Sequence, residues 1–191
     1  MRGRSKRDFR AFLAFEVSVE VRESLVRVEE ELRQTRADIK LVELENLHFT
    51  VKFLGEVKEE VVDDVDKRLK GLAIRRMEID VRGLGAFPDA RRPRVLWAGV
   101  APQDLGQITN RGQAVIDALE GLGESDERGF HPHITIGRVR SPRNHDALAA
   151  VLRDGSTREF GRTQITALKL KSSTLGPRGP TYRDVKEYAL E

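Results

Sequence analysis

Hydrophobic and polar positions along this chain follow strand and helix periods in turn, and the succession runs through twice. Arg10-Ala11-Phe12-Leu13-Ala14-Phe15-Glu16-Val17 is an apolar run of strand length. Val21, Leu25, Val28 and Leu32 then recur at helical spacing with charges between them, which predicts an amphipathic helix. Ile39 to Leu44 reads as extended, and a strand from His48 to Leu54 is closed by Gly55. A helix over about Glu59 to Lys70 would bury Val61, Val62, Val65 and Leu69, with Gly71 as its stop. A strand from Arg76 to Val81 and a Gly- and Pro-marked loop from Gly83 to Pro93 end the first pass.

The second pass opens with an apolar strand from Arg94 to Val100 and a helix from about Leu105 to Leu122 on Ile108, Val115, Ile116 and Leu119. A polar loop from Gly123 to Gly129 leads into a strand from His133 to Val139. A helix near Asp146 to Leu152, a strand near Gln164 to Ser172, a turn-rich segment and a last strand from Tyr182 to Leu190 follow. Two units suggest a duplicated lobe rather than a solenoid. The expected organisation is a basic arm over residues 1–9 and a single bilobal domain over 10–191. Its repeats would span about 10–92 and 93–172, with the strand over 182–190 completing the sheets.

The repeat gains chemical meaning from one pattern. His-x-Thr-hydrophobic occurs as His48-Phe49-Thr50-Val51 and as His133-Ile134-Thr135-Ile136, 85 positions apart (133 − 48), in a chain with only 4 histidines. Lobes related by a pseudo-twofold axis would set one histidine on each wall of a cleft. Two such imidazoles can divide acid and base work near neutral pH. In a strand, residues i and i+2 share a face, so His48 goes with Thr50 and His133 with Thr135, while Phe49, Val51, Ile134 and Ile136 pack behind. The threonine hydroxyls can donate to phosphate oxygens. Lys52 extends the first polar face by one step. Arg138 and Phe53 lie five residues past their histidines, so strict alternation sends both to the opposite face. Arg138 reaches the cleft only if its strand ends or twists near Gly137. For Phe53, base stacking and core packing both remain open.

A metal site is the competing reading, with His131 and His133 as an i, i+2 pair and His48 as a third ligand. Against it, Pro132 separates the pair and no carboxylate occupies a matched motif position. His145, in a polar stretch at a helix start, reads as solvent-exposed.

Composition narrows the setting. The chain has 191 residues, a net charge of +3, 34% charged residues and no cysteine. Disulfides and thiolate metal sites are therefore excluded, and a reducing cytoplasm suits the composition. No apolar run approaches the roughly 20 residues that span a bilayer. A predominance of arginine among the basic residues, with a pI near 9.3, favours phosphate or RNA partners.

These residues resemble the two-histidine phosphoesterase superfamily, and within it the RNA 2′,3′-cyclic phosphodiesterase family, also called 2′-5′ RNA ligases. The resemblance is carried by Arg10 to Glu16, Glu45 to Gly55, Arg92 to Val100, Phe130 to Arg138 and Gly179 to Tyr182, in order, from Arg10 to the C-terminus. It implies an α+β fold of two pseudo-symmetric lobes, antiparallel sheet with flanking helices around a central cleft. It implies hydrolysis of an RNA terminal 2′,3′-cyclic phosphate to a 2′-phosphate, without metal or other cofactor, and 2′-5′ ligation through the same site. Carried over residue by residue, His48 would be the proton donor and His133 the proton acceptor. Thr50, Thr135 and Arg138, with Lys52, would hold the phosphate, and Phe53 would bind substrate. A monomer of the cytoplasm with an RNA partner and no membrane is expected. The alternatives are a phosphodiesterase for a small cyclic nucleotide or ADP-ribose cyclic phosphate, and a non-catalytic module that binds RNA ends.

Overall fold

The structure, a computed structural model, describes residues 8–123, 129–176 and 179–191. The basic arm before Asp8 and most of the loop after Gly123 lie outside the described residues. Strand β1 (Phe9–Glu16) leads to helix α1 (Val19–Gln34), strand β2 (Ile39–Leu41), a short 3-10 turn (Leu44–Asn46) and strand β3 (His48–Val57). Helix α2 (Glu60–Leu69), strands β4 (Met77–Phe87) and β5 (Val95–Val100), helix α3 (Pro102–Ala118) and strand β6 (Ile134–Val139) follow. Helix α4 (His145–Asp154) and strands β7 (Glu159–Ile165), β8 (Ala167–Gly176) and β9 (Gly179–Ala189) complete the chain. Among the described residues no helix is long and apolar enough to cross a membrane.

The helices begin and bury as their patterns require. Ser18 caps α1, its hydroxyl accepting from the Val21 amide, and Val21, Leu25, Val28 and Leu32 are all buried on the inward stripe. In α2, Val65 and Leu69 are buried while Val61 and Val62 sit at the margin. Pro102 supplies a preset φ at the start of α3. Helix α1 packs on β7, α3 on β3 and β4, α4 on β4, and α2 against α3.

That sheet has nine strands in the order β7-β4-β5-β6-β3-β1-β8-β9, with β2 also paired to β6. Every pairing is antiparallel. The α+β architecture of antiparallel strands and flanking helices is as expected, but the strands are dealt out across it. β4, from the first half of the chain, lies beside β5 and β7. β8, from the second half, lies beside β1. The two central strands, β6 and β3, meet at a single bridge, Phe49 with Ile134. On either side of that bridge the sheet parts into two wings.

Two expected boundaries are corrected by this arrangement. β4 continues to Phe87 through what the glycines mark as loop, because Gly83 at φ +83° absorbs an irregularity and pairing with β5 resumes at Leu84. The single strand expected near Gln164 to Ser172 is two strands broken at Thr166. β7 pairs with β4 in one wing, and β8 crosses to pair with β1 in the other. The turn-rich ending is likewise a long hairpin, with β9 already paired from Gly179.

Candidate active site

His48 opens β3 and His133 immediately precedes β6, so each motif histidine enters a central strand from a turn. Antiparallel pairing about the Phe49–Ile134 bridge sets His48 opposite Thr135 and Thr50 opposite His133. The two histidines therefore flank the bridge, one at the mouth of each central strand.

Each ring is held from behind by the backbone two residues earlier. His133 Nδ1 donates to the carbonyl of His131 at 2.6 Å, and the backbone of Asn46 takes the same part for His48. A proton fixed on Nδ1 leaves Nε2 as the working nitrogen. At His48, Nε2 lies 3.1 Å from Thr50 Oγ1, so the hydroxyl donates to the neutral ring. Aromatic side chains set the ring planes. Phe12 stacks on His48 at 5.0 Å and 24°, and Tyr182 meets the same ring edge-on at 5.5 Å. Phe87 stands edge-on to His133 at 5.0 Å and rests in turn on Trp97. Trp97 lies flat over Gly85, where a Cβ would fall 2.2 Å from the indole ring.

Burial governs the charge of both rings. His48 is only 8% exposed, and desolvation pushes its pKa down to about 4, with the Lys171 and Arg22 cations adding to the effect and Glu16 and the Asn46 carbonyl opposing it. Desolvation also lowers His133, with His131 and Arg138 adding and the bond to the His131 carbonyl opposing. In the free protein both rings are therefore neutral at pH 7. The cation beside His48 belongs to a network: the Lys171 ammonium contacts Glu16 at 2.5 Å and Asp184 at 2.6 Å, and Lys169 bridges the same two carboxylates.

Past each threonine a one-residue bulge resets the alternation. In β3, Ala14 pairs with Thr50 and Leu13 with Lys52, so Val51 is the extra residue. In β6, Trp97 pairs with Thr135 and Leu96 with Gly137, so Ile136 is the extra residue. Arg138 thereby pairs with Val95 on the Thr135 face, exposed, with its charge felt at His133 and at Tyr182. Phe53 pairs with Phe12, 6.1 Å away ring to ring, and is 54% exposed, which removes the core-packing reading. The same bulge corrects the expectation for Lys52. It is in register with core-facing Leu13 and only 8% exposed, so it does not continue the His48–Thr50 row. His145 is half-buried rather than exposed, with Nε2 donating to the Ser141 carbonyl at 3.0 Å.

Tyr182, Phe12 and Phe87 join the site without having been singled out by the motifs. The signal for Tyr182 lay in its Gly-Pro-Thr-Tyr segment; Phe12 and Phe87 offered none beyond apolarity. His133 Nδ1 is engaged by a carbonyl, and among the described residues no group of three or more His, Asp or Glu side chains gathers where a metal ion could be held.

The family model of the LigT-like phosphoesterases matches the chain twice, over residues 15–97 and 100–182, an offset of 85 (100 − 15) equal to that of the motif histidines. The RNA 2′,3′-cyclic phosphodiesterase of Aeropyrum pernix is 38% identical over 164 residues, covering 85% of this chain and 93% of that one. The protein of the same name from Archaeoglobus fulgidus is 36% identical over 179 residues, covering 94% and 99%. The crystal structure of TT0787 of Thermus thermophilus superposes with a TM-score of 0.74 at 28% identity, covering 95% of this chain and 97% of that one. Escherichia coli LigT complexed with phosphate shares the fold, with a TM-score of 0.74 at 22% identity and coverage of 97% and 99%. Matched by the family model in both halves, and more than a third identical to relatives along most of their length, the chain belongs to the LigT-like phosphoesterase family.

Proposed function

We propose that this protein hydrolyses the terminal 2′,3′-cyclic phosphate of RNA to a 2′-phosphomonoester. The observation that carries the reading is the pair of His-x-Thr units disposed about the Phe49–Ile134 bridge, each imidazole anchored by the backbone two residues before it. The relatives named RNA 2′,3′-cyclic phosphodiesterase support the substrate class.

His133, with Nδ1–H held by a carbonyl, offers Nε2 to take a proton from water as the oxygen attacks phosphorus in line. The phosphorus–O3′ bond breaks as His48 delivers a proton to O3′, leaving a free 3′-hydroxyl and a 2′-phosphate. Thr50, Thr135 and the exposed Arg138 take up the charge that builds on the non-bridging oxygens. His48 must be protonated for this step although its burial opposes it. The substrate's own negative charge, arriving between the rings, favours the imidazolium and brings the proton with it. With a 5′-hydroxyl in place of water as the nucleophile, His133 taking its proton and His48 again protonating the departing O3′, the same step would form a 2′-5′ bond. We place the reaction in a cytoplasmic monomer, on the cysteine-free composition and the completeness of the site within one chain.

The test is incubation with EDTA of an RNA oligomer ending in 2′,3′-cyclic phosphate, with the phosphate isomer identified. The expected product is the 2′-phosphate, and His48→Ala and His133→Ala should each lose roughly 10²–10⁴-fold in rate. Turnover of a cyclic mononucleotide or ADP-ribose cyclic phosphate, with none of the oligomer, would replace the reading with a small-molecule phosphodiesterase. Tight binding without any turnover would make it an end-binding module.

A further inference from the structure

Beyond the end of β6 the sheet carries a second basic feature that the hydrolytic step does not use. A cavity of about 290 Å³ is lined by Arg92, Arg94, Arg140, Ser141, Pro142 and His145, with no carboxylate among its lining residues. That volume is at the small end of ligand sites, enough for one backbone phosphate with its sugar.

The surrounding arginines make the contrast. Several arginines elsewhere are paired, Arg22 with Glu16, Arg158 with Glu31, and Arg162 with Glu78 and Asp80, while others among the described residues stand singly. Among the described residues Arg92, Arg94 and Arg140 make no ion pair. The acid nearest in sequence, Asp89, is occupied, since its carboxylate accepts from the backbone amides of Arg91 and Arg92. Three guanidinium forks without a carboxylate partner suit phosphate oxygens better than any neutral ligand.

The rim is fixed in advance. Pro93 and Pro142 set φ on either side. Asn144 holds a left-handed φ of 55°, and its amide donates to the carbonyls of Thr35 and Arg36, tying the segment after β6 to the end of α1. His145 is tied to Ser141. The cavity follows the cleft-face row of β6 along the chain: Arg140, in its lining, comes two residues after Arg138, roughly 7 Å at a strand rise of about 3.3 Å per residue. Arg140 lies seven residues past His133 (140 − 133), roughly 23 Å at that rise, so an RNA strand whose terminal phosphate sits between the histidines passes Arg138 and reaches the cavity a few nucleotides upstream.

We propose that this cavity binds backbone phosphates of the RNA upstream of its cyclic end, so that the preferred substrate is an oligonucleotide rather than a mononucleotide. The inference rests on the RNA-end reading of the cleft and adds a second contact region to it.

The experiment compares a 2′,3′-cyclic mononucleotide with RNAs of two to six residues ending in the same cyclic nucleotide. It measures kcat and KM across a salt series, with direct binding of fluorescent single-stranded RNA alongside. The expected result is a KM that falls as the first few 5′ nucleotides are added, and a logarithm of the RNA association constant that falls with log salt at a slope of about −0.7 per phosphate engaged. R92A/R94A/R140A should raise the oligomer KM toward the mononucleotide value, flatten the salt slope and leave kcat on the mononucleotide unchanged. The single variants R94Q and R140Q, which disturb the fold less, should each weaken oligomer binding by roughly tenfold, the order for hydrogen bonds to charged groups. A wild-type KM independent of length, or RNA affinity unchanged in the variants, would overturn the proposal. Failure of the wild type to turn over either substrate would instead strike the catalytic reading, while the binding arm still decides the cavity's role.

Discussion

Phe53 and Arg138 are the same position in two halves of one site. They lie 85 residues apart (138 − 53), the interval that separates His48 from His133. Each is delivered to the cleft face by a single extra residue in its strand, Val51 in one and Ile136 in the other. The duplication has kept the bulge and changed the side chain, giving an aromatic on one wall and a cation on the other. The two walls of a pseudo-symmetric scaffold thus differ in chemistry at one matched position.

The protonation of His48 should depend on what occupies the cleft. With its pKa near 4 in the free protein, His48 is neutral at pH 7. A phosphate anion between the rings favours the charged form, so binding raises the pKa. NMR titration of the ring should show the rise when a non-hydrolysable phosphate analogue is added. Kinetically, the basic limb of the kcat profile should lie at higher pH than that of kcat/KM, since the former reports the complex and the latter the free enzyme. Coincident limbs would mean that the proton does not arrive with the substrate.

Lys171→Met should act on both stability and protonation. It removes the buried ammonium from Glu16 and Asp184, leaving Lys169 on both carboxylates and Arg22 on Glu16. Removing one partner of a fully buried pair costs about 3–5 kcal/mol; here the loss should be nearer 2 kcal/mol, because the carboxylates keep contact with water. The His48 pKa should rise, since a cation leaves and the Glu16 charge remains. Urea unfolding and the ring titration read the two effects separately. A stability loss with no movement of His48 would make Lys171 purely structural.

Glu29 and His48 should pull the pH dependence of stability in opposite directions. Between about pH 4 and the ordinary histidine value of 6.5, the unfolded chain binds a proton at residue 48 that the native state refuses. Stability from this source rises with pH across that window. Glu29 is raised to about 7, chiefly by burial, so the native state keeps a proton that the unfolded chain releases above 4.5. Its contribution falls as pH climbs from 4.5 to 7. Glu29→Gln removes the second slope only. The variant's advantage over the wild type should therefore grow from pH 5 to pH 8, by an amount on the order of 2–3 kcal/mol. Parallel stability curves would show that Glu29 titrates normally.

Gly85→Ala should disturb His133 from a distance. The new methyl would force Trp97 off its present plane, and Trp97 supports Phe87, which stands against the His133 ring. Overpacking of this kind costs about 1–3 kcal/mol. The kcat should fall more than KM changes, and the His133 resonances should shift while those of His48 stay in place. Equal shifts at both rings would point to a general loosening of the sheet.

The amphipathic helices were legible in the chain because Val21, Leu25, Val28 and Leu32 report a 3.6-residue period directly. The motif histidines and threonines were legible because the pattern is repeated. The bulges were not. A single extra residue leaves no mark on composition, yet it exchanges the parts of Lys52 and Phe53 and brings Arg138 onto the cleft face. The crossing at Thr166 was hidden for a similar reason, since an apolar run reads alike whether its strand stays in one wing or passes to the other. Nor could local pattern reveal that Tyr182 returns to His48 from 134 positions away (182 − 48), because long-range pairing decides it.

The dealing of strands across the sheet also constrains how the molecule comes into being. β1 is flanked by β3 and β8, and Ala11 finds its partner Ser172 only after 161 further residues have been made (172 − 11). A nascent chain that has just emitted the second histidine still lacks β8 and β9, and with them Lys171 and Tyr182. Until then β1 has an open hydrogen-bonding edge, the kind of surface that invites pairing with another chain. Folding of such high contact order is slow, and His48 acquires its finished surroundings only when the C-terminal hairpin has docked.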